Sequence, residues 1–297
     1  MNWKGVLPAV TTNLKTDLSV DHEAFAAHCR WMIDSGCTGI VCCGSLGEAQ
    51  TLSFDEKIAV VRTAVSAVGA RAPVVLGIAS LSTLEAVAMA KAAEQAGAQG
   101  LMVLPPYVYT SDWREMKAYV SAVIAATRLS CMLYNNPPAY KTDFLPDQIA
   151  ELAKEHANLH AVKESSGDVR RVTAIRAAVG RRLEIAVGMD DAIVEGIYAG
   201  ATGWIAGLVN AYPAESVALF DLASRGDKAR AAVLYEWFLP LLRLDTVPKF
   251  VQHIKWIQAE VGRGTPFTRP PRLPLAGVDL ELTQAVLAKA RQDHPKL

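Results

Sequence analysis

The sequence predicts an α/β protein, a closed (β/α)8 TIM barrel with a C-terminal helical appendage. Short apolar and β-branched runs alternate with longer segments of helical periodicity, and eight such strands can be counted before the pattern becomes all helical. A doubly wound open sheet is the alternative. That fold usually carries Gly-x-Gly-x-x-Gly after its first strand, whereas this chain has Thr11-Thr12-Asn13 there, which favours the barrel.

The predicted strands read as continuous apolar runs because a parallel sheet is buried on both faces. They cover residues 5–10, 39–43, 74–77, 100–104, 131–134, 159–163, 184–187 and 203–205. Helical periodicity marks residues 21–35, 53–68, 83–96, 112–127, 146–155, 169–179 and 190–199. A glycine that ends a helix, followed by one that opens a strand, recurs at 35–40, 96–101 and 199–204 and supports the strand count.

Two regions are predicted. Residues 1–225 form the catalytic barrel, and residues 226–297 form a helical extension packed on it. Helices are predicted at 213–224, 227–242, 247–261 and 279–292. The proline-rich connector at 265–274 is expected to be stiff and extended, because proline fixes the backbone and biases its predecessor away from helix.

Composition points to a globular protein with a small-molecule partner. Of 297 residues, 51% are hydrophobic and 20% charged, and thirty basic side chains balance thirty acidic ones. A chain without net charge has no overall electrostatic attraction to nucleic acid or to an anionic membrane. Five cysteines without a Cys-x-x-Cys pair fit a reducing compartment. With no signal-peptide pattern and no apolar run of about 18 residues, we expect a cytoplasmic location.

Polar groups are predicted at three strand ends that a barrel brings to one mouth. Lys163 ends the sixth strand, where partial burial lowers the pKa of an amine and makes it a nucleophile toward carbonyl carbon. Tyr134 ends the fifth strand, and its hydroxyl can relay protons. A glycine-flanked turn with free backbone N–H groups, suited to a carboxylate, follows the second strand. Together these groups predict a site for a 2-oxo acid. The three motifs that contain them are Gly44-Ser45-Leu46-Gly47-Glu48, Tyr134-Asn135-Asn136-Pro137 and Lys163-Glu164-Ser165-Ser166-Gly167-Asp168.

These three motifs, in this order and spacing, resemble the dihydrodipicolinate synthase and N-acetylneuraminate lyase family over nearly the whole chain. The resemblance implies a barrel with a C-terminal helical appendage, a homotetramer and chemistry that needs no cofactor or metal. It makes Lys163 the Schiff-base lysine and Tyr134 the proton relay, held by the Ser45 hydroxyl. It places a substrate carboxylate at Ser45 and Leu46, and it makes Gly188 and Ile205 substrate-binding residues that line the lysine. It assigns the far end of longer substrates, as bound in the lyase branch, to Ser165, Asp190 and Asp191.

Three differences from the synthase branch narrow the range of possible substrates. Leu46 replaces one of two threonines in the glycine turn, and Ala139, followed by Tyr140, stands where the synthases carry an arginine for a second carboxylate. Tyr107-Val108 replaces an aromatic pair. The runs 105–109, 112–115 and 134–140 look most like 1-pyrroline-4-hydroxy-2-carboxylate deaminases of hydroxyproline catabolism. The resemblance therefore implies a lyase or deaminase that forms 2-oxoglutarate semialdehyde and ammonia.

Four alternatives remain open on sequence grounds. Dihydrodipicolinate synthase, or another pyruvate-dependent aldolase or lyase, would use the same Lys163 imine, and so would a 2-oxo-3-deoxy sugar acid dehydratase. A metal-dependent aldolase would need His156 and His160, which stand at the wrong end of the sixth strand and lack a third ligand. A barrel kept only for assembly or ligand binding would leave Lys163 inert.

Overall fold

The computed structural model describes residues 1–107 and 109–295 and confirms the predicted (β/α)8 barrel. Eight parallel strands lie in the order β1-β8-β7-β6-β5-β4-β3-β2. A further parallel bridge between Ala9 and Val41 brings the two end strands together. The strands are β1 Gly5–Pro8, β2 Ile40–Cys42, β3 Val74–Ile78, β4 Gly100–Val103, β5 Ser130–Asn135, β6 Leu159–Glu164, β7 Glu184–Val187 and β8 Gly203–Ala206.

Helices surround the barrel and continue into the appendage. They are α1 His22–Asp34, α2 Phe54–Val68, α3 Thr83–Gln95, α4 Trp113–Ala125, α5 Pro137–Tyr140, α6 Pro146–Glu155, α7 Arg170–Val179, α8 Ile193–Tyr198, α9 Pro213–Ser224, α10 Lys228–Leu242, α11 Phe250–Glu260 and α12 Gly277–Gln292. Capping boxes fix the starts of α2 and α4, where Ser53 pairs with Glu56 and Asp112 with Glu115. Within the described ranges no helix combines the length and the apolar character needed to cross a bilayer.

The barrel sheet is buried on both faces, as expected for parallel strands covered by helices. Every strand residue is buried except Gly5, His160 and Glu184, which lie at or near strand starts. Two helix boundaries differ from the prediction in ways that follow from the local sequence. Asp190–Ala192 forms a separate 3-10 turn before α8. The helix predicted from residue 247 begins at Phe250, because the residue before Pro248 is disfavoured in helical conformation.

A buried ion pair joins the appendage to the turn after β2. The Lys255 ammonium, on α11, donates to the Glu48 carboxylate at 2.7 Å and to the Thr12 carbonyl at 2.9 Å, and both charged side chains are 1% exposed. The other Glu48 oxygen accepts the Arg269 backbone N–H. Glu48 has φ 56°, a left-handed conformation uncommon outside glycine. Long-range contacts therefore hold the conformation of this turn.

Replacing Lys255 with methionine is expected to lower the free energy of unfolding by about 3–5 kcal/mol, because it leaves the Glu48 carboxylate buried without its partner. Equilibrium urea denaturation measures the loss. The matched control is Glu48→Gln combined with Lys255→Met, which removes both charges and should recover much of the stability. A loss below about 1 kcal/mol in the single variant would contradict the assignment.

Candidate active site

Lys163 and Tyr134 are neighbours on adjacent strands at the carboxyl end of the barrel. They are register partners across β5 and β6, and the Lys163 Nζ lies 4.2 Å from the centroid of the Tyr134 ring. Both residues are buried, at 6% and 5% exposure. The structure thus brings together the two residues predicted to carry the chemistry.

The surroundings of Lys163 favour a neutral amine. Burial lowers the pKa of Lys163 to about 8, while the negative charges of Asp245 and Asp190 oppose that shift. Near neutral pH a useful fraction of the side chain is then unprotonated and can attack an electrophilic carbon. The ring of Tyr134 and the strand neighbours supply the low-dielectric environment.

Gly188 leaves the space that Lys163 occupies. A Cβ atom added at Gly188 would lie 2.4 Å from the Lys163 Cε and 2.0 Å from the Ser165 Oγ, so glycine is required at this position. Ser165 is fully buried, and its hydroxyl has no hydrogen-bond partner among the described residues. An unpaired buried hydroxyl beside the nucleophile is available to a substrate oxygen or nitrogen. Ile205, also buried, lies in β8.

The Tyr134 hydroxyl is held in its protonated form. It accepts a hydrogen bond from the Asn136 side-chain amide at 2.9 Å. Burial raises the pKa of Tyr134 to about 12, although Asn136 and other nearby polar groups act in the opposite direction. At neutral pH the group therefore has a proton to donate and can act as a relay.

Ser45 contacts a different tyrosine from the one predicted. Its hydroxyl makes a short hydrogen bond with the hydroxyl of Tyr140, not with that of Tyr134. The Tyr140 ring packs edge-on against Tyr134 with centroids 5.8 Å apart, and Tyr107 packs on its other side. Ser45 thus acts on Tyr134 only through Tyr140. Tyr140 follows Ala139 in the short helix α5, which the sequence analysis did not predict.

The turn after β2 offers free backbone donors. Leu46 is buried, Ser45 is half-buried, and in the described part of the chain their backbone N–H groups donate no hydrogen bond. Two such amides in a turn suit a carboxylate. This agrees with the carboxylate position predicted at Ser45 and Leu46, and the substrate contact itself remains a prediction.

Asp190 is used by the protein itself. Its oxygens accept hydrogen bonds from the Trp204 indole and from the backbone N–H groups of Gly207 and Leu208, at 2.8–3.2 Å. Burial raises the pKa of Asp190 to about 6, although these hydrogen bonds act to lower it. These hydrogen bonds hold the loop after β8, and a contact between Asp190 and substrate remains a prediction. Its neighbour Asp191 is half-buried, 3.9 Å from the Arg243 guanidinium.

The histidines proposed as metal ligands lie away from the site. His156 and His160 lie near the amino end of β6, opposite the mouth, where each ring bonds a serine hydroxyl, Ser121 and Ser130 respectively. Val108 lies outside the described residues. Tyr107, its neighbour, is half-buried and donates from its hydroxyl to the Ala79 carbonyl at 3.4 Å.

Asp245 was not predicted from the sequence, because it lies in no recognisable motif. Asp245 ends the 3-10 turn Arg243–Asp245 in the appendage, between α10 and α11. A Cβ atom added at Gly207, directly after β8, would lie 2.1 Å from the Asp245 Oδ1. A carboxylate from outside the predicted barrel therefore lies at the carboxyl end of β8.

A match to a known family decides the class. Residues 2–292 fit the model of the dihydrodipicolinate synthetase family. The chain belongs to that family. Among curated members, 4-hydroxy-tetrahydrodipicolinate synthase of Chelativorans sp. (strain BNC1) is 33% identical over 97% of this chain and 98% of its own length. The enzyme of that name from Methanoculleus marisnigri is 33% identical over 98% and 99%.

Solved structures of the family agree with the fold. The 4-hydroxy-tetrahydrodipicolinate synthase of Methylacidiphilum fumariolicum SolV superposes with a TM-score of 0.94 at 28% identity, covering 98% of this chain and 96% of that one. The chloride-inhibited dihydrodipicolinate synthase of Acinetobacter baumannii, complexed with pyruvate, gives 0.93 at 28% identity over 98% and 99%. The protein is thus a lyase-family enzyme. The names of its relatives match the synthase, which the sequence analysis held as an alternative to the deaminase.

Proposed function

We propose that the protein is a Schiff-base enzyme that converts 1-pyrroline-4-hydroxy-2-carboxylate and water to 2-oxoglutarate semialdehyde and ammonia. The observation that carries the covalent chemistry is the buried Lys163 amine, with a pKa lowered to about 8, against the ring of Tyr134. The free amides of Ser45 and Leu46 support a carboxylate next to the reacting carbon.

The first half of the reaction opens the ring. The lone pair of the Lys163 Nζ adds to the ring imine carbon. The carbon–nitrogen bond of the ring then breaks, and its electron pair, with a proton, leaves as a primary amine on the far carbon. The protonated Lys163 imine that remains withdraws electrons from the neighbouring carbon, which loses a proton. Because its pKa is about 12, Tyr134 serves here as a relay that accepts this proton while passing its own on.

The second half releases water and ammonia. The enamine electrons expel the adjacent hydroxyl group as water, giving a conjugated imine. A proton then moves from the terminal carbon to the carbon beside the imine, and the terminal enamine tautomerises to an iminium. One water hydrolyses this iminium to an aldehyde and ammonia. A second water hydrolyses the lysine imine, which restores Lys163 and the 2-oxo group, so the net consumption is a single water.

The lack of an arginine at residue 139 supports this substrate over a dicarboxylate. Ala139, where the synthase branch carries arginine, is exposed and uncharged. Arg171, in the first turn of α7, donates to both oxygens of Asp143 and to the Phe144 carbonyl. A product with two carboxylates would have no bidentate partner here.

The second candidate is 4-hydroxy-tetrahydrodipicolinate synthase, which the names of the relatives favour. It would use the same lysine imine, formed with pyruvate, to attack an aldehyde. A 2-oxo-3-deoxy sugar acid dehydratase would share the elimination step. These enzymes differ at the far end of the substrate, not at Lys163.

Direct assay of the purified protein separates the candidates. We expect ammonia and 2-oxoglutarate semialdehyde from 1-pyrroline-4-hydroxy-2-carboxylate, quantified by mass spectrometry, and little consumption of pyruvate with aspartate semialdehyde. Condensation of the latter pair, with no ammonia from the hydroxypyrroline, would replace the deaminase with the synthase. Dehydration of a 2-oxo-3-deoxy sugar acid alone would assign the third activity.

We also propose that the chain assembles as a homotetramer. Exposed apolar side chains on the segments after β3 and β4 support self-association, and they include Leu81, Leu84 and Tyr109, at 69%, 83% and 54% exposure. Sedimentation velocity should show a tetramer that charged substitutions at Leu81 and Leu84 dissociate. A monomer in the unmodified protein would remove the proposal.

A further inference from the structure

We propose that Asp245 binds the amino group at the far end of the opened substrate, so that the appendage supplies the residue that selects a cationic distal group. The inference rests on the proposed function, in which ring opening leaves a primary ammonium away from the Lys163 imine. It gives that function a specificity residue outside the predicted barrel.

The position of Asp245 is set by two elements that meet at the mouth. The turn Arg243–Asp245 packs against the turn Asp190–Ala192, which follows β7. The carboxylate fills the space that a side chain at Gly207 would need, 2.1 Å from the position of the absent Cβ. From the other side, the Ile254 Cδ1 lies 3.0 Å from that same position. The carboxylate therefore lies between the appendage and the end of β8.

The oxygens of the Asp245 carboxylate are free to accept hydrogen bonds. Throughout residues 1–107 and 109–295, its side chain makes no hydrogen bond within 3.5 Å and no ion pair within 4.0 Å. The neighbouring acid, Asp190, is different, because the Trp204 indole and two backbone amides occupy its oxygens. Asp245 is half-buried, so its free oxygens remain accessible at the mouth, where a cationic group of a ligand can bind them.

The Asp245 carboxylate, placed by its approach to Gly207 after β8, also interacts electrostatically with the reacting groups. Its negative charge raises the pKa of both Lys163 and Tyr134. Burial, with Asp190 close by, raises the pKa of Asp245 itself well above its usual range. This shift favours the protonated acid while no cation is present, and an ammonium group bound beside Asp245 would favour its ionised form.

The chemical class of substrate follows from this charge pattern. One end of the site has the Lys163 amine and the free amides of the turn after β2, which suit a 2-oxo or 2-imino carboxylate. The end of β8 has the Asp245 carboxylate, and residue 139, where the synthase branch carries an arginine, is an uncharged alanine. The matching ligand is a short 2-oxo acid derivative with a cationic nitrogen on its distal carbon, and the opened hydroxypyrroline has this form.

The test compares Asp245→Asn and Asp245→Ala with the unmodified enzyme in two assays. The first is steady-state ammonia release from 1-pyrroline-4-hydroxy-2-carboxylate. The second is reductive trapping of pyruvate, which has no distal amine, at about pH 9, above the Lys163 pKa of about 8, so that both proteins present a neutral amine. Glu236→Gln removes an exposed carboxylate from the same appendage and is the matched control.

We expect both Asp245 variants to lose about 30-fold or more in kcat/KM for ammonia release, because a desolvated charge pair is broken. Pyruvate trapping should stay within about twofold, and Glu236→Gln should match the unmodified enzyme in both assays. Unchanged ammonia release, or an equal loss of pyruvate trapping, would overturn the role of Asp245. An unmodified enzyme that releases no ammonia at all would instead overturn the proposed function and the ammonium assignment with it.

Discussion

Lys163→Arg is expected to lower turnover by at least about 10³-fold, because the guanidinium stays protonated and cannot form an imine. The substitution keeps a positive charge in the site, so the loss reports covalent chemistry and not charge alone. The measurement is kcat with 1-pyrroline-4-hydroxy-2-carboxylate, and with pyruvate plus aspartate semialdehyde in parallel. Arginine is larger than lysine and Gly188 touches the side chain, so circular dichroism and thermal unfolding must show a folded protein.

The matched control is Lys141→Arg, an exposed lysine that follows α5 at the same mouth and donates to the Pro138 carbonyl. It should keep turnover within about twofold. If a folded Lys163→Arg protein retains more than about a tenth of the activity, the imine is not on the reaction path. That result would return the metal-dependent alternative to consideration.

The same lysine predicts a pH dependence. A free amine reacts, so the rate of pyruvate trapping with cyanoborohydride should rise as pH increases through the Lys163 pKa of about 8 and then level off. An ordinary lysine, with its reference value of 10.5, would show little reaction until higher pH. A midpoint above about pH 10 would indicate that Lys163 is not desolvated in solution.

Tyr134→Phe is expected to lower kcat by about 10²-fold and to change KM less, because it removes a hydroxyl that moves protons and leaves the ring that packs on Lys163. Reductive trapping separates the role of the Tyr134 hydroxyl from that of its ring. Imine formation with pyruvate, measured by trapping, should proceed at a rate closer to that of the unmodified enzyme than the full turnover does.

Tyr119→Phe is the control, because it removes the hydroxyl of another buried tyrosine, one that contacts the Ser80 carbonyl at 3.4 Å. This change should leave kcat within about threefold. Comparable losses in the two variants would assign Tyr134 to packing. A loss confined to KM would make its hydroxyl a binding group instead of a relay.

The barrel could be predicted from sequence because its signals are local. Eight buried apolar runs and the repeated glycine pairs at helix exits each depend on a few adjacent residues. Lys163 and Tyr134 follow from the same logic, because strand ends of a barrel meet at one mouth. The family match and the eight-stranded sheet confirm the predicted barrel, and β5 and β6 place Lys163 and Tyr134 side by side, while their catalytic roles remain predictions.

Side-chain partners could not be predicted in this way, because they depend on contacts between distant segments. Ser45 and Tyr140 are 95 positions apart, and which of two tyrosines Ser45 meets depends on the path of the loop after β5. Asp190 lies after β7 as predicted, and the sequence did not show that Trp204 and the loop after β8 donate hydrogen bonds to its carboxylate oxygens. Asp245 comes from the appendage, in a turn without a recognisable motif.

The most direct test of the central claim is peptide mass spectrometry after borohydride reduction with 1-pyrroline-4-hydroxy-2-carboxylate, and with pyruvate in a separate reaction. We predict an adduct of the opened hydroxypyrroline on Lys163, absent from the Lys163→Arg protein. An adduct from pyruvate alone would move the assignment to a pyruvate-dependent synthase or lyase. No adduct on Lys163 from either compound would contradict the Schiff-base mechanism itself.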